Sequence, residues 1–124
     1  MVHDVFGDIN FTVGWKMSKS IVLFGHSYTV TVKLQAYFEE DGITKEQENA
    51  YINFINTEEI KMDCIEKLLK EYSNSAELRF IPKTLLIDRD GSYALLFDDN
   101  DNPDDGIAVC LAPEEKIISQ DEYL

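Results

Sequence analysis

The sequence predicts a single α+β domain, with an antiparallel sheet of about five or six strands and a helical segment inserted after the N-terminal hairpin. Residues 20–36 alternate apolar and polar side chains, which is typical of a half-buried hairpin. Residues 44–72 repeat apolar side chains at helical spacing, and short apolar runs between turn residues resume after them. The length of 124 residues is that of one domain, here residues 1–124.

The N-terminal region predicts three strands. Residues 3–13 alternate weakly and form a candidate first strand, with Gly7 as a turn or bulge. Residues 20–24 form a short apolar strand, and Gly25-His26 then matches a type II′ turn, which favours glycine first. The strand after the turn has a strict period of two, with apolar positions at Tyr28, Val30, Val32, Leu34 and Ala36.

Two start signals mark the helical segment. Thr44 and Gln47 have the spacing of a capping box. Asn56 with Glu59 gives a second start signal immediately afterwards, and Ser73-Asn74-Ser75 ends the helical pattern. The sequence therefore predicts either two short helices or one kinked helix between two β regions.

The second β region resembles a meander. Residues 78–87 are apolar, but Pro82 cannot donate to a ladder and predicts an edge position or a bulge. Asp90-Gly91 predicts a type I′ hairpin turn. Residues 93–97 and 106–111 give two further strands, Pro113 ends the second, and Ile117-Ile118 are expected to dock on the core.

Between the last two apolar runs the chain carries five carboxylates in eight residues, Asp98, Asp99, Asp101, Asp104 and Asp105. The run predicts a loop joining two buried strands. It lies within an acidic third of the chain: residues 90–124 hold ten acids and only Lys116 as a base, and the whole chain has a net charge of −13. Such a field repels nucleic acid and anionic membranes and favours a basic partner or a cation. Alternatively, the charge serves solubility alone.

The loop does not match a calcium-binding EF-hand, which needs glycine at its sixth position and glutamate at its twelfth. Counted from Asp98, these positions hold Pro103 and Val109. Counted from Asp99, they hold Asp104 and Cys110. We therefore predict no metal site and no cofactor, with weak cation binding by the loop left open.

Catalytic patterns are lacking as well. His3 and His26 are not near a serine or cysteine in a recognisable nucleophile motif. Together with Cys64 and Cys110 they lack the paired spacing of a zinc site, and both cysteines are expected to be small buried hydrophobes, with a disulfide as the less favoured reading. The chain is therefore predicted not to be an enzyme.

Targeting signals are also lacking. The N-terminus has no basic region followed by an apolar stretch, and no apolar run is long enough to cross a bilayer. The expected location is the cytoplasm. Most aromatic residues lie on apolar faces, but Trp15 between Gly14 and Lys16 is expected to be an exposed anchor for a partner.

Several segments, in order along the chain, carry a family resemblance. They are Leu23-Phe24-Gly25 with Tyr28, residues 43–54, Ile87-Asp88-Arg89-Asp90-Gly91, residues 96–109 and the terminal Gln120-Asp121-Glu122-Tyr123-Leu124. On these the chain resembles a family of small acidic bacterial proteins of unknown function. Some of its members are similar to the immunity proteins of polymorphic or contact-dependent toxin systems.

The resemblance and the charge together predict a non-enzymatic, immunity-type inhibitor. Its acidic surface would cover the basic, nucleic-acid-binding cleft of a nuclease-like toxin, using Asp98, Asp99, Asp101, Asp104 and Asp105 with Trp15 as an anchor. A divalent-cation-responsive regulatory module and a housekeeping protein whose charge only confers solubility are the alternatives. The oligomeric state is not predicted.

Overall fold

The α+β class is confirmed by a computed structural model, which describes residues 2–124. In chain order the strands are β1 (Val2–His3), β2 (Gly7–Asp8), β3 (Asn10–Phe11), β4 (Trp15–Leu23), β5 (His26–Leu34), β6 (Phe80–Ile87), β7 (Tyr93–Asp99), β8 (Ile107–Ala112) and β9 (Lys116–Ser119). The helices are α1 (Lys45–Asn56), α2 (Glu58–Tyr72), α3 (Ala76–Arg79) and α4 (Gln120–Tyr123), with a short 3₁₀ turn at Glu39–Asp41.

The main sheet has seven strands in the order β3-β4-β5-β6-β7-β8-β9, beside a two-stranded β1-β2 hairpin. The prediction of five or six antiparallel strands is corrected in two respects: the sheet is larger, and it is mixed. β5 and β6 run parallel, pairing Thr31–Leu34 with Thr84–Ile87. The connection through the helices returns the chain to the end of the sheet where β5 began, so β6 follows the same direction.

The N-terminal hairpin is confirmed, but its turn is displaced by one residue. Leu23 pairs with His26, so the two loop residues are Phe24 and Gly25, both with positive φ (52° and 77°). Two positive φ values are typical of a type I′ turn, not the type II′ turn expected at Gly25-His26. The single strand expected over residues 3–13 is instead three two-residue strands, with Gly7 in a positive-φ conformation.

The turn at Asp90-Gly91 also differs from its prediction. The Asp88 N–H donates to the carbonyl of Ser92 at 2.8 Å, which leaves a three-residue loop, and within it only Gly91 has a positive φ. A type I turn followed by one left-handed residue is the usual form of such a loop. Gly91 is needed for the left-handed position, but the loop is one residue longer than the two-residue type I′ turn that the sequence predicts.

Two helices rather than one kinked helix fill the predicted helical segment. The capping box is confirmed: the Thr44 hydroxyl accepts from the Gln47 N–H at 3.1 Å, and the Gln47 side chain accepts from the Thr44 N–H at 2.9 Å. The second helix begins after Thr57 instead of Asn56. The Thr57 hydroxyl donates to the carbonyl of Asn53, ending α1.

Pro82 marks a bulge, as predicted. The β6–β7 register shifts between Pro82 and Thr84, so Lys83 is the extra residue. The pairing of β6 with β5 begins only at Thr84, and the missing N–H of Pro82 therefore costs no bond in that ladder.

The main core lies between the sheet and the helices. Helix α2 spans several strands of the sheet. It touches β4 through the Lys19–Glu58 ion pair and the β8–β9 connection through Cys64 and Glu115, although β4 and β8 are four strands apart. On the opposite face β6–β8 carry a smaller apolar cluster, covered by Ile118 and Tyr123. Ile117 packs against the main core, so the predicted docking of Ile117-Ile118 is confirmed. None of the helices within residues 2–124 is long and apolar enough to span a membrane.

Candidate functional site

The acidic run forms the connection between β7 and β8, as the sequence predicts. Asp98 and Asp99 are the last residues of β7, and β8 begins at Ile107. Both strands are buried over almost their whole length. The loop therefore leaves and re-enters a rigid part of the sheet.

Asp99 points inward and is only 4 % exposed. Arg79 at the end of α3 donates to both of its carboxylate oxygens, from Nε at 2.8 Å and from Nη2 at 2.9 Å. The hydrogen bonds from Arg79 lower the pKa of Asp99 below its ordinary value of 3.8 against the opposing effect of burial. Asp99 is thus a structural carboxylate, buried against Arg79 and not exposed on the acidic surface as expected.

Arg79 is itself fixed by its surroundings. Its guanidinium lies over the rings of Phe80 and Tyr72, 4.8 and 5.6 Å from their centroids. Its carbonyl accepts from the Asn100 N–H at 2.8 Å, and the Asn100 side-chain amide donates to the Leu78 carbonyl at 2.9 Å. The first half of the loop is therefore fastened to α3 by main-chain and side-chain bonds.

The second half of the loop is held by turns and by α4. The Asp105 N–H donates to the carbonyl of Asn102 at 3.1 Å. Gln120 at the start of α4 donates from its main chain to Gly106 at 3.0 Å and from its side chain to the Phe97 carbonyl at 2.7 Å. A side chain at Gly106 would collide with that carbonyl and with Gln120, which explains the glycine at this close approach.

Three of the five carboxylates remain exposed: Asp98, Asp101 and Asp104. Asp98 lies 4.0 Å from the Lys83 ammonium, and Asp101 lies 3.4 Å from Arg79 Nε. Asp105 is half-buried, and its Oδ1 is enclosed without a hydrogen-bond partner among residues 2–124. The loop therefore presents a fixed row of three carboxylates rather than five.

Trp15 is buried at 4 % exposure, so the expectation of an exposed anchor is wrong. It opens β4 on the side that faces the helices and stacks edge-on against Phe11 at 5.4 Å. Its alternation with Ile21 and Leu23, which are also buried, indicated this in the sequence. The exposed aromatic side chains are instead Tyr37 and Phe38, which follow β5, and Tyr72 at the end of α2.

The histidines and cysteines form separate local contacts. His3 Nε2 lies 3.2 Å from Glu48, and the exposed His26, at the start of β5, lies 3.0 Å from Glu77. Both cysteines are free; Cys110 is buried, but Cys64 is partly exposed and hydrogen-bonds Glu115, which differs from the buried position expected for it. Within residues 2–124 no three His, Cys, Asp or Glu side chains converge as metal ligands.

Arg79 is the site residue that sequence reasoning missed. It is the only base between Lys70 and Lys83, and it directly precedes the apolar run of β6. That position alone does not reveal a partner 20 residues away.

Comparisons with protein-family models, with curated proteins and with solved structures find no match to this chain.

Proposed function

We propose that this protein is a non-enzymatic, immunity-type inhibitor that neutralises a basic, nuclease-like toxin through the row of carboxylates formed by Asp98, Asp101 and Asp104. The observation that carries the proposal is the two-point bond between Arg79 and Asp99, which fastens the start of the loop and so supports the exposed row. A preorganised row loses less conformational entropy on binding than a mobile acidic loop would.

The electrostatics favour a partner with a nucleic-acid-binding cleft. Such a cleft collects lysine and arginine side chains spaced to meet phosphates. Carboxylates on a fixed loop carry the same negative charge as those phosphates. The net charge of −13 also raises the rate of encounter with a basic surface. Nucleic acid itself and anionic membranes are repelled by the same field.

The experiment compares the wild-type chain with the triple variant D98N/D101N/D104N, both immobilised and exposed to extract of the native host. We expect one basic protein to be retained by the wild type and lost from the variant. Its nuclease or toxic activity should be inhibited by the wild-type chain at a one-to-one ratio. Because the attraction is between exposed charges, binding should weaken between about 50 and 300 mM salt.

The matched control is E114Q/D121N/E122Q, which removes three exposed charges C-terminal to the loop and leaves the loop intact. Asp99 is kept in every variant, because replacing all five aspartates would also remove the partner of Arg79 and confuse binding with stability. Equal retention by the triple variant and the wild type, or a retained protein that is acidic, would contradict the proposal.

A further inference from the structure

The outer edge of β4 is open over most of its length. β4 pairs with β5 along all nine of its residues, from Trp15 to Leu23. On its other side β3 pairs only with Trp15 and Lys16. No strand within residues 2–124 pairs with the outer edge from Met17 to Leu23. Because an antiparallel ladder turns the N–H and C=O of every second residue outward, this edge offers a row of unpaired main-chain groups.

Helix α2 runs beside this edge and forms a groove with it. Lys19 Nζ lies 2.9 Å from Glu58 Oε1, and the Phe24 N–H donates to Glu66 Oε2 at 3.2 Å. These two contacts hold the helix along β4 from Lys19 to the turn. The space between them is a groove of about 610 Å³, lined on the strand side by Val22.

The lining of the groove combines apolar and acidic side chains. Val22 is 55 % exposed and Ile60 is 72 % exposed, so both offer apolar surface to a ligand. The helix side adds four carboxylates: Glu58, Glu59, Asp63 and Glu66. Glu58 is neutralised by Lys19, whereas neither Glu59 nor Asp63 has an ion-pair partner within residues 2–124.

We propose that this groove binds an extended, basic segment of a partner protein, which pairs with β4 as an additional strand. Main-chain hydrogen bonds along the edge would supply affinity without selecting sequence. Specificity would come from the alternation of the bound strand, with apolar side chains on the face of Val22 and basic side chains on the helix face, toward Glu59 and Asp63.

Charge complementarity favours a basic partner over a second copy of this chain. Pairing β4 with β4 of another copy would bring two sets of these carboxylates to one interface, on chains that each carry a net charge of −13. Like charges across a strand pair are destabilising. The proposal concerns a different surface from the Asp98–Gly106 loop and does not depend on the immunity-type function.

The test uses the full chain and a synthetic peptide of nine residues, the length of β4, in which lysine alternates with valine or isoleucine. Binding is followed by amide chemical shifts and by hydrogen exchange. We expect shifts confined to residues 17–23 and 58–66, and slower exchange of every second amide of β4. A peptide with N-methylated main-chain amides at alternate positions should not bind, because it cannot complete the ladder.

The variant E59Q/D63N should weaken peptide binding by about three- to tenfold, the effect of losing two exposed ion pairs. The loop variant D101N/D104N removes the same charge elsewhere and should leave the affinity unchanged. The proposal is overturned if no shift appears in residues 17–23 up to about 1 mM peptide. It is also overturned if both variants lose affinity equally, or if sedimentation shows a dimer that occupies this edge.

Discussion

The thiol of Cys64 on α2 lies 2.6 Å from Glu115 Oε2 in the connection between β8 and β9. The contact joins the helix to the β8–β9 side of the sheet, far from the Lys19–Glu58 contact on β4. Burial first, then the hydrogen bond to Glu115 and the negative charge of Glu115, together raise the pKa of the Cys64 thiol to about 11.

We therefore expect Cys64 to react slowly with iodoacetamide. At pH 8 its thiolate fraction should be about a hundredfold below that of a thiol with an ordinary pKa. In a Cys110→Ser background, which leaves one thiol, Glu115→Gln should accelerate the reaction, and Glu114→Gln should not. The pH dependence of the alkylation rate measures the pKa directly. A midpoint near that of a free thiol would contradict the structure.

Replacing Asp99 by asparagine should destabilise the fold by about 2 kcal/mol at pH 7, because the charge-assisted bonds to Arg79 are lost. The pKa of Asp99 is lowered in the folded state, so its contribution is fully present above the pKa of the unfolded chain. It disappears as the pH falls through the folded pKa.

The difference in free energy of unfolding between the wild type and Asp99→Asn is measured by urea unfolding at a series of pH values. It should shrink toward zero as the pH falls below the pKa of Asp99 in the folded state. Asp98→Asn, an exposed neighbour, is the control and should change the free energy of unfolding little. A difference that persists unchanged in acid would show that the carboxylate charge is not what stabilises the loop.

The cation-responsive alternative is tested by thermal melting with calcium chloride. Arg79 occupies both oxygens of Asp99, which removes the most enclosed carboxylate of the loop as a ligand. We expect the melting temperature to rise by less than about 1 °C at 1 mM calcium, because only ligands that bind the folded state tightly stabilise it. Stabilisation at micromolar calcium would instead support a regulatory cation site.

Val13 has a φ of 51° and is 77 % exposed. A β-branched side chain in the left-handed region is strained, and asparagine tolerates that conformation better. Val13→Asn should therefore stabilise the protein by about 1 kcal/mol, measured by thermal or urea unfolding. Val2→Asn is the matched control, since Val2 is equally exposed but lies in the extended strand β1 and should gain nothing.

Features that depend on neighbours in the sequence were predictable. The Thr44–Gln47 capping box, the bulge at Pro82 and the alternation of β5 each follow from a few adjacent residues. The two turns were placed near their true positions, but their types depend on strand register. The φ of 52° at Phe24 has no sequence signal, because an aromatic residue rarely adopts it.

Features that depend on the meeting of distant segments were not predictable from one sequence. Gln47 has one feature of each kind. Its place in the capping box depends on adjacent residues and was predictable. Its complete burial, and the bonds from its amide to the carbonyls of Gln35 and Ile87, depend on distant segments. The pairing of Arg79 with Asp99 and the parallel ladder of β5 and β6 are of the same kind. The density of charge in the sequence indicates where the acidic loop lies. It does not indicate which of the carboxylates in the loop are buried.

The parallel ladder between β5 and β6 has a consequence for biosynthesis. The N-terminal hairpin forms from adjacent residues, but its inner neighbour in the sheet is residues 84–87, which are translated only after all of α1–α3. During translation β5 therefore leaves the ribosome well before β6, its parallel partner, has been synthesised. In that interval the inner edge of β5 is unpaired together with the outer edge of β4 beyond Lys16, and the nascent chain is most exposed to intermolecular strand pairing.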